Sequence, residues 1–263
     1  MSHEADLVID ALHAGHEQLT PLVRLLTAEQ LRQPTAPGEW TLARVLSHLG
    51  SGAVIALAGL DAALSGEPHP GSEANQAVWA VWDAMAPEEQ AEGCLVANAE
   101  LLARYDSIDA QTRDSLRVDL GFLPAPIDLA SAARFRLNEF ALHSWDVRVV
   151  IDPEATVEAH AAPLLLDQAA FMLGWVSKPG VLAGGTTTLA IRLTEPEREF
   201  GLTLSDPVSL GDLPQSPDGA LAAPTEAWLR LLTGRLDPEH TPPSVTVSGA
   251  VDLDLLRRVF PGF

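Results

Sequence analysis

The stretch Ala133-Arg134-Phe135-Arg136-Leu137-Asn138-Glu139-Phe140-Ala141-Leu142-His143-Ser144-Trp145-Asp146-Val147-Arg148 decides how this chain is read. No Gly or Pro interrupts it from Leu129 to Ile151, so it reads as one helix. Residues three and four apart share a helix face, which places Arg136, Glu139, His143 and Asp146 on a single polar stripe. A Glu and a His one turn apart can reach the same ion, and carboxylate oxygen and imidazole nitrogen are good ligands for zinc. Taken alone, the stripe is also what an amphipathic helix shows to water, with Arg136 and Glu139 as a surface ion pair.

Working outward, the chain before this helix is helical throughout. Ala5 to Leu26 carries apolar residues at helical spacing, with Pro21 as a candidate kink and His13 and His16 read as solvent-exposed. Thr27 and Gln30 form a capping-box pattern. The loop Gln33 to Glu39 precedes Trp40 and Thr41, and Thr41 is placed to cap a long helix from Leu42 to about Leu64. That helix carries His48, with Ser51 and Gly52 a turn further on, where small side chains leave room for something to approach the imidazole. By itself His48 reads as a buried, satisfied histidine before it reads as a ligand. Further helices are expected at about Ala74–Met85 and Pro87–Tyr105, with Trp79 and Trp82 as core residues and 107–126 irregular.

After Ile151 a helix is expected at about Ala161–Val176, and the pattern then changes at Lys178-Pro179-Gly180 and Gly184-Gly185. Thr186 to Leu193 alternates and is β-branched; Glu199–Leu204, Val208–Leu210 and Val245–Ser248 are shorter strand candidates. Helices are expected at Pro224–Leu232 and Asp252–Val259. The domains are therefore placed at 1–180, all helical, and 181–263, a small α+β domain.

Composition narrows the function. A net charge of −20 argues against nucleic-acid and anionic-membrane binding. The apolar segment Val54–Leu64 carries Asp61 and is too short to span a bilayer. The opening residues lack the basic and apolar regions of a signal peptide, so a cytoplasmic location is expected. Cys94 is the single cysteine, which excludes an intrachain disulfide; with no basic neighbour in sequence it reads as core rather than as a nucleophile. Gly184-Gly185 lacks the Lys and the following helix of a phosphate loop, and no Gly-x-Ser-x-Gly or Cys-x-x-Cys element is present.

Two segments together carry a resemblance: Gly38-Glu39-Trp40-Thr41 with Val45-Leu46-Ser47-His48-Leu49, and Asn138-Glu139 through His143-Ser144-Trp145-Asp146-Val147. The chain resembles the DinB-like four-helix metal-binding fold, and more specifically the mycothiol-dependent maleylpyruvate isomerase family of actinobacteria. The likeness extends over essentially the whole chain, including the helix that closes on Leu232-Thr233-Gly234-Arg235. It implies an α+β architecture, an N-terminal DinB-like four-helix bundle followed by a small C-terminal α+β domain. It implies zinc, or another divalent metal, on His48, Glu139 and His143, and mycothiol as thiol cosubstrate. Three N/O ligands leave a position open, unlike the four-ligand structural sites. Asp146 is then a candidate acceptor orienting a ligating imidazole, that of His48. Arg235 is a candidate carboxylate or cofactor clamp, though its place after a helix better suits a partner for the helix C-terminus.

The reaction expected from the resemblance is that of an isomerase or S-transferase in which a thiolate attacks a small electrophile, in a monomer or homodimer. Two other classes remain open from the residues: a metal-dependent hydrolase on the same bundle, and a non-catalytic metal or small-molecule binding module.

Overall fold

The computed structural model describes residues 2–35 and 40–262; Gly38-Glu39 and the rest of 36–39 lie outside the described residues. The chain divides into two compact units, 1–152 and 153–263.

Four long helices build the first unit: α1 (Ser2–Leu25), α3 (Leu42–Ser65), α5 (Pro87–Asp106) and α7 (Leu129–Arg148). α1 packs on α5 and α7, and α3 packs on the same two, which closes a four-helix bundle. The helix starts follow from local chemistry. Thr41 accepts a hydrogen bond from the Arg44 amide to open α3, and Asp128 accepts one from Ser131 to open α7. Pro87 stands in the first turn of α5, where a missing N–H costs nothing. The Thr27–Gln30 capping box is formed at the short α2 (Ala28–Leu31). Pro21 lies inside α1 without ending it.

α4 (Gly71–Asp83) lies against α3. Its anchor is Trp82, 6% exposed, whose ring fills the place of a side chain at Gly50: a Cβ there would sit 2.1 Å from it. Trp79 is 46% exposed, so only one of the two tryptophans is core. α3 is long and apolar enough to cross a membrane by length and composition, and 56% of that window is buried inside the fold. Its apolar side is accounted for by the bundle.

The segment 107–126 is more ordered than its sequence suggests. Asp109 caps a short α6 (Ala110–Ser115), and β1 (Arg117–Val118) pairs antiparallel with β2 (Ile127–Asp128). Elements this short show no periodicity to read.

The second unit begins with α8 (Ala162–Val176) and a 3₁₀ turn at Pro179–Leu182. A five-stranded sheet follows, from β3 (Thr187–Thr194), β4 (Arg198–Leu204), β5 (Ser209–Gly211), β6 (Gly219–Pro224) and β7 (Thr246–Gly249), in the order β5-β4-β3-β6-β7. Only β3 and β6 pair in parallel. α9 (Thr225–Leu232) covers the sheet, with Trp228 fully buried and edge-on to Phe200 and Phe260 at 5.7 and 6.5 Å. α10 (Leu253–Val259) is capped by Asp252 and closes the chain.

The pattern change at 178–185 and the compact units do not coincide, because α8 packs on α9 and β5 and so goes with the sheet. β6 has no counterpart in the sequence reading: Gly-Ala-Leu-Ala-Ala-Pro lacks the β-branched residues that mark a strand.

Candidate metal centre

His48 stands on α3 and Glu139 and His143 on α7, neighbours in the bundle. One ligand atom from each lies within 4.8 Å of the other two. His48 Nε2 is 2.9 Å from Glu139 Oε2, and His143 Nε2 is 3.8 Å from the same oxygen. The donors thus surround one point from two adjacent helices.

The surroundings fix how each donor is presented. His143 Nδ1 donates to Asp146 Oδ2 at 2.8 Å, one turn along α7. That bond places the proton on Nδ1 and leaves the Nε2 lone pair facing Glu139. The sequence reading gave Asp146 to the imidazole of His48; the structure gives it to His143, because an i,i+3 pair on one helix meets more readily than a pair across two. Asp146 is shut away with a side chain 2% exposed, while the Glu139 side chain is 44% exposed. The carboxylate that orients His143 is inside, and the one between the two imidazoles is open.

Partial burial favours the neutral acid of Glu139. The hydrogen bond with His48 and the electrostatic pull of His143, His48 and Arg136 outweigh it and draw the carboxyl down to about 2. Glu139 is therefore an anion throughout the neutral range.

Trp40 walls the site. Its ring stacks on His143 at 5.8 Å and 15° and leans on His48 at 5.2 Å, and the two imidazoles meet edge-on at 4.6 Å. Trp40 is held by its backbone: its carbonyl accepts from the amide of Thr35 at 2.9 Å and from the Thr35 hydroxyl at 3.1 Å.

Arg136 is not the surface ion-pair partner that its spacing suggests. It is 6% exposed, and Nη2 donates to the Leu49 carbonyl and to Asn98 Oδ1, both at 2.7 Å. Cys94 is 1% exposed; burial pushes its thiol up to about 12 against the opposing pull of Arg136 and Asn98. A basic group absent from its sequence neighbourhood is thus present in space, but burial dominates. His13 and His16 are only part-exposed, and His13 Nε2 lies 3.0 Å from Asp106 Oδ1. Arg235 lies in the second unit, 9% exposed, with Nη1 donating to the Thr233 carbonyl.

The chain matches the sequence profile of the mycothiol maleylpyruvate isomerase N-terminal domain over residues 12–148, just over half its length. It belongs to that family. Both helices that carry the triad fall inside the matched segment. No curated protein matches the chain by sequence. Among solved structures, the crystal structure of the mycothiol-dependent maleylpyruvate isomerase is similar at 15% identity and a TM-score of 0.66, covering 96% of this chain and 97% of that one. A histidine-to-alanine mutant of that isomerase is similar at 14% identity, with the same TM-score and coverage. The fold of this member of the mycothiol maleylpyruvate isomerase family is thus that of an enzyme, a helical N-terminal unit followed by a sheet-containing one.

The sequence signals Glu139, His143 and Asp146 through spacing. Trp40 is visible there as part of a motif but not as the ring that stacks on the imidazoles, since stacking between a loop and two helices leaves no periodicity.

Proposed function

We propose that this protein is a mycothiol-dependent isomerase or S-transferase acting on a small electrophile in the cytoplasm. His48, Glu139 and His143 would hold one divalent ion, and two imidazoles with one carboxylate suit zinc. The fit rests on three features: donors converging within 4.8 Å, a carboxylate ionised at neutral pH, and an imidazole whose other nitrogen is already committed to Asp146. The chemistry such an ion supplies is a thiol held as its thiolate near pH 7.

The residues of the chain account for the rest. Asp146 keeps the Nδ1 proton on His143, so that Nε2 faces the site. Trp40 covers one flank of both imidazoles and limits water there. The described residues around the triad contribute no thiol, and Cys94 is buried with its proton firmly held. The nucleophile is therefore supplied by a cosubstrate. Its thiolate would add to an electrophilic carbon, the adduct would rotate about a former double bond, and the thiol would leave; in a transferase the conjugate would be released instead.

The single observation that carries this reading is the convergence of an open His/Glu/His set in a chain whose only cysteine is buried. A paired assay tests it. The zinc-loaded protein is incubated with maleylpyruvate or monochlorobimane, with and without mycothiol. Turnover that requires the thiol and is lost in His48→Ala supports the proposal. Ester turnover with no thiol present would instead mark a hydrolase, and failure to bind thiol with metal fully loaded would mark a binding module.

A further inference from the structure

One buried charge near the triad has no function in the scheme above. Arg136 is fixed by Nη2, which spends both protons on the Leu49 carbonyl and Asn98 Oδ1. Nε is enclosed without a hydrogen-bond partner, and Nη1 has none among the described residues. Glu139 is the carboxylate whose charge Arg136 feels most, but it is engaged with His48 and His143. A guanidinium that is 94% buried with no ion-pair partner is expensive, and such charges are ordinarily paired.

The position of Nη1 suggests what completes the pair. It lies over Gly52, so close that a Cβ on that residue would come within 2.9 Å of it. Gly52 is part-exposed and stands one turn along α3 from His48, on the same helix face. Arg136 stands one turn along α7 from Glu139. The uncommitted nitrogen therefore takes the space that a side chain at Gly52 would fill, and Gly52 and Arg136 each stand one helical turn from a residue of the triad on their own helix. Burial weighs against the charged form, yet guanidinium stays protonated in proteins, so the charge persists.

We propose that Arg136 is the carboxylate anchor of this site: Nη1, beside Gly52, receives a carboxylate of the electrophilic substrate while the reacting carbon lies toward the metal ligands. This rests on the proposed function for the location of the reacting carbon, but the anion site stands on its own geometry. It restricts the substrates to anionic electrophiles whose carboxylate is a few bonds from the carbon attacked.

The test uses a non-reactive dicarboxylate, succinate, titrated calorimetrically into the full-length zinc-loaded protein, with zinc content measured in parallel. Two variants separate the anchor from fold integrity. Arg136→Met removes the charge. Gly52→Ala keeps the charge but sets a Cβ 2.9 Å from Nη1, which pushes that nitrogen from its present place, and it does so with a residue that favours helix. Succinate should bind the wild type and bind each variant at least tenfold more weakly, at equal zinc content for Gly52→Ala. In turnover, Gly52→Ala should raise KM for maleylpyruvate more than for the uncharged monochlorobimane. Unchanged succinate binding in Gly52→Ala would overturn the anchor, as would weakening that only follows loss of zinc. Succinate binding that depends on Arg136 and Gly52, with no thiol-dependent turnover, would keep the anchor and remove the isomerase reading instead.

Discussion

Asp146 holds His143 Nδ1 at 2.8 Å from a position that is 2% exposed, so the imidazole cannot turn without breaking its hydrogen bond to a buried carboxylate. The Asp146→Asn variant keeps the shape but offers an amide that can reach the imidazole through its N–H₂, which favours the wrong tautomer. Zinc affinity should fall about 10–100-fold, as is usual when a partner of a ligating histidine is lost. Competition against a chromophoric chelator measures it, and an affinity equal to wild type would show that Asp146 does not orient the ligand. At this scale, Glu139, His143 and Asp146 were legible because one helix carries all three, and helical spacing is a strict geometric rule. His48 was legible as a candidate ligand only through resemblance, since a histidine among apolar neighbours on another helix has no spacing relation to α7. The burial of Arg136 was not legible at all. Its stripe position suggests a surface, and only the bundle, with α3 beside α7 and Asn98 reaching in from α5, reveals that Leu49 and Asn98 enclose it.

α3 and α7 present the ligands because their ends are chemically defined, by Thr41 and Asp128, and their interiors lack breakers. Such helices are read well from sequence, whereas α6, β1 and β2 are too short to carry a pattern and β6 is built of poor strand formers. α4 illustrates a third case. Its existence follows from periodicity, but the docking of Trp82 depends on two glycines on other helices, Gly50 and Gly93, where a Cβ would lie 2.1 and 3.1 Å from the ring. In an ordinary helix interior, Gly→Ala stabilises by roughly 1 kcal/mol. At Gly50 the sign should reverse. Gly50→Ala forces the indole to shift and should destabilise by about 1–3 kcal/mol, the usual cost of overpacking a filled core. Urea unfolding followed by tryptophan fluorescence measures this, and a stabilised variant would show that Trp82 is not seated in the slot between α3 and α5.

For the molecule as a whole, the change from helical to alternating pattern announces a bundle followed by a sheet-containing part, and the structure has that order. The pattern places the change near 178–185, while the compact units divide after Asp152, since packing assigns α8 to α9 and the sheet. A net charge of −20 surrounds a site whose described residues converge on a histidine, a carboxylate and a second histidine. The central claim is that this set binds a metal with a position left for an external thiol. Zinc K-edge absorption of the zinc-loaded protein, recorded before and after adding mycothiol, tests that claim most directly. The account predicts only nitrogen and oxygen neighbours at about 2.0–2.2 Å beforehand, and one sulfur at about 2.3 Å once the thiol is present. A shell that gains no sulfur at saturating mycothiol, or that contains sulfur before any is added, would contradict it.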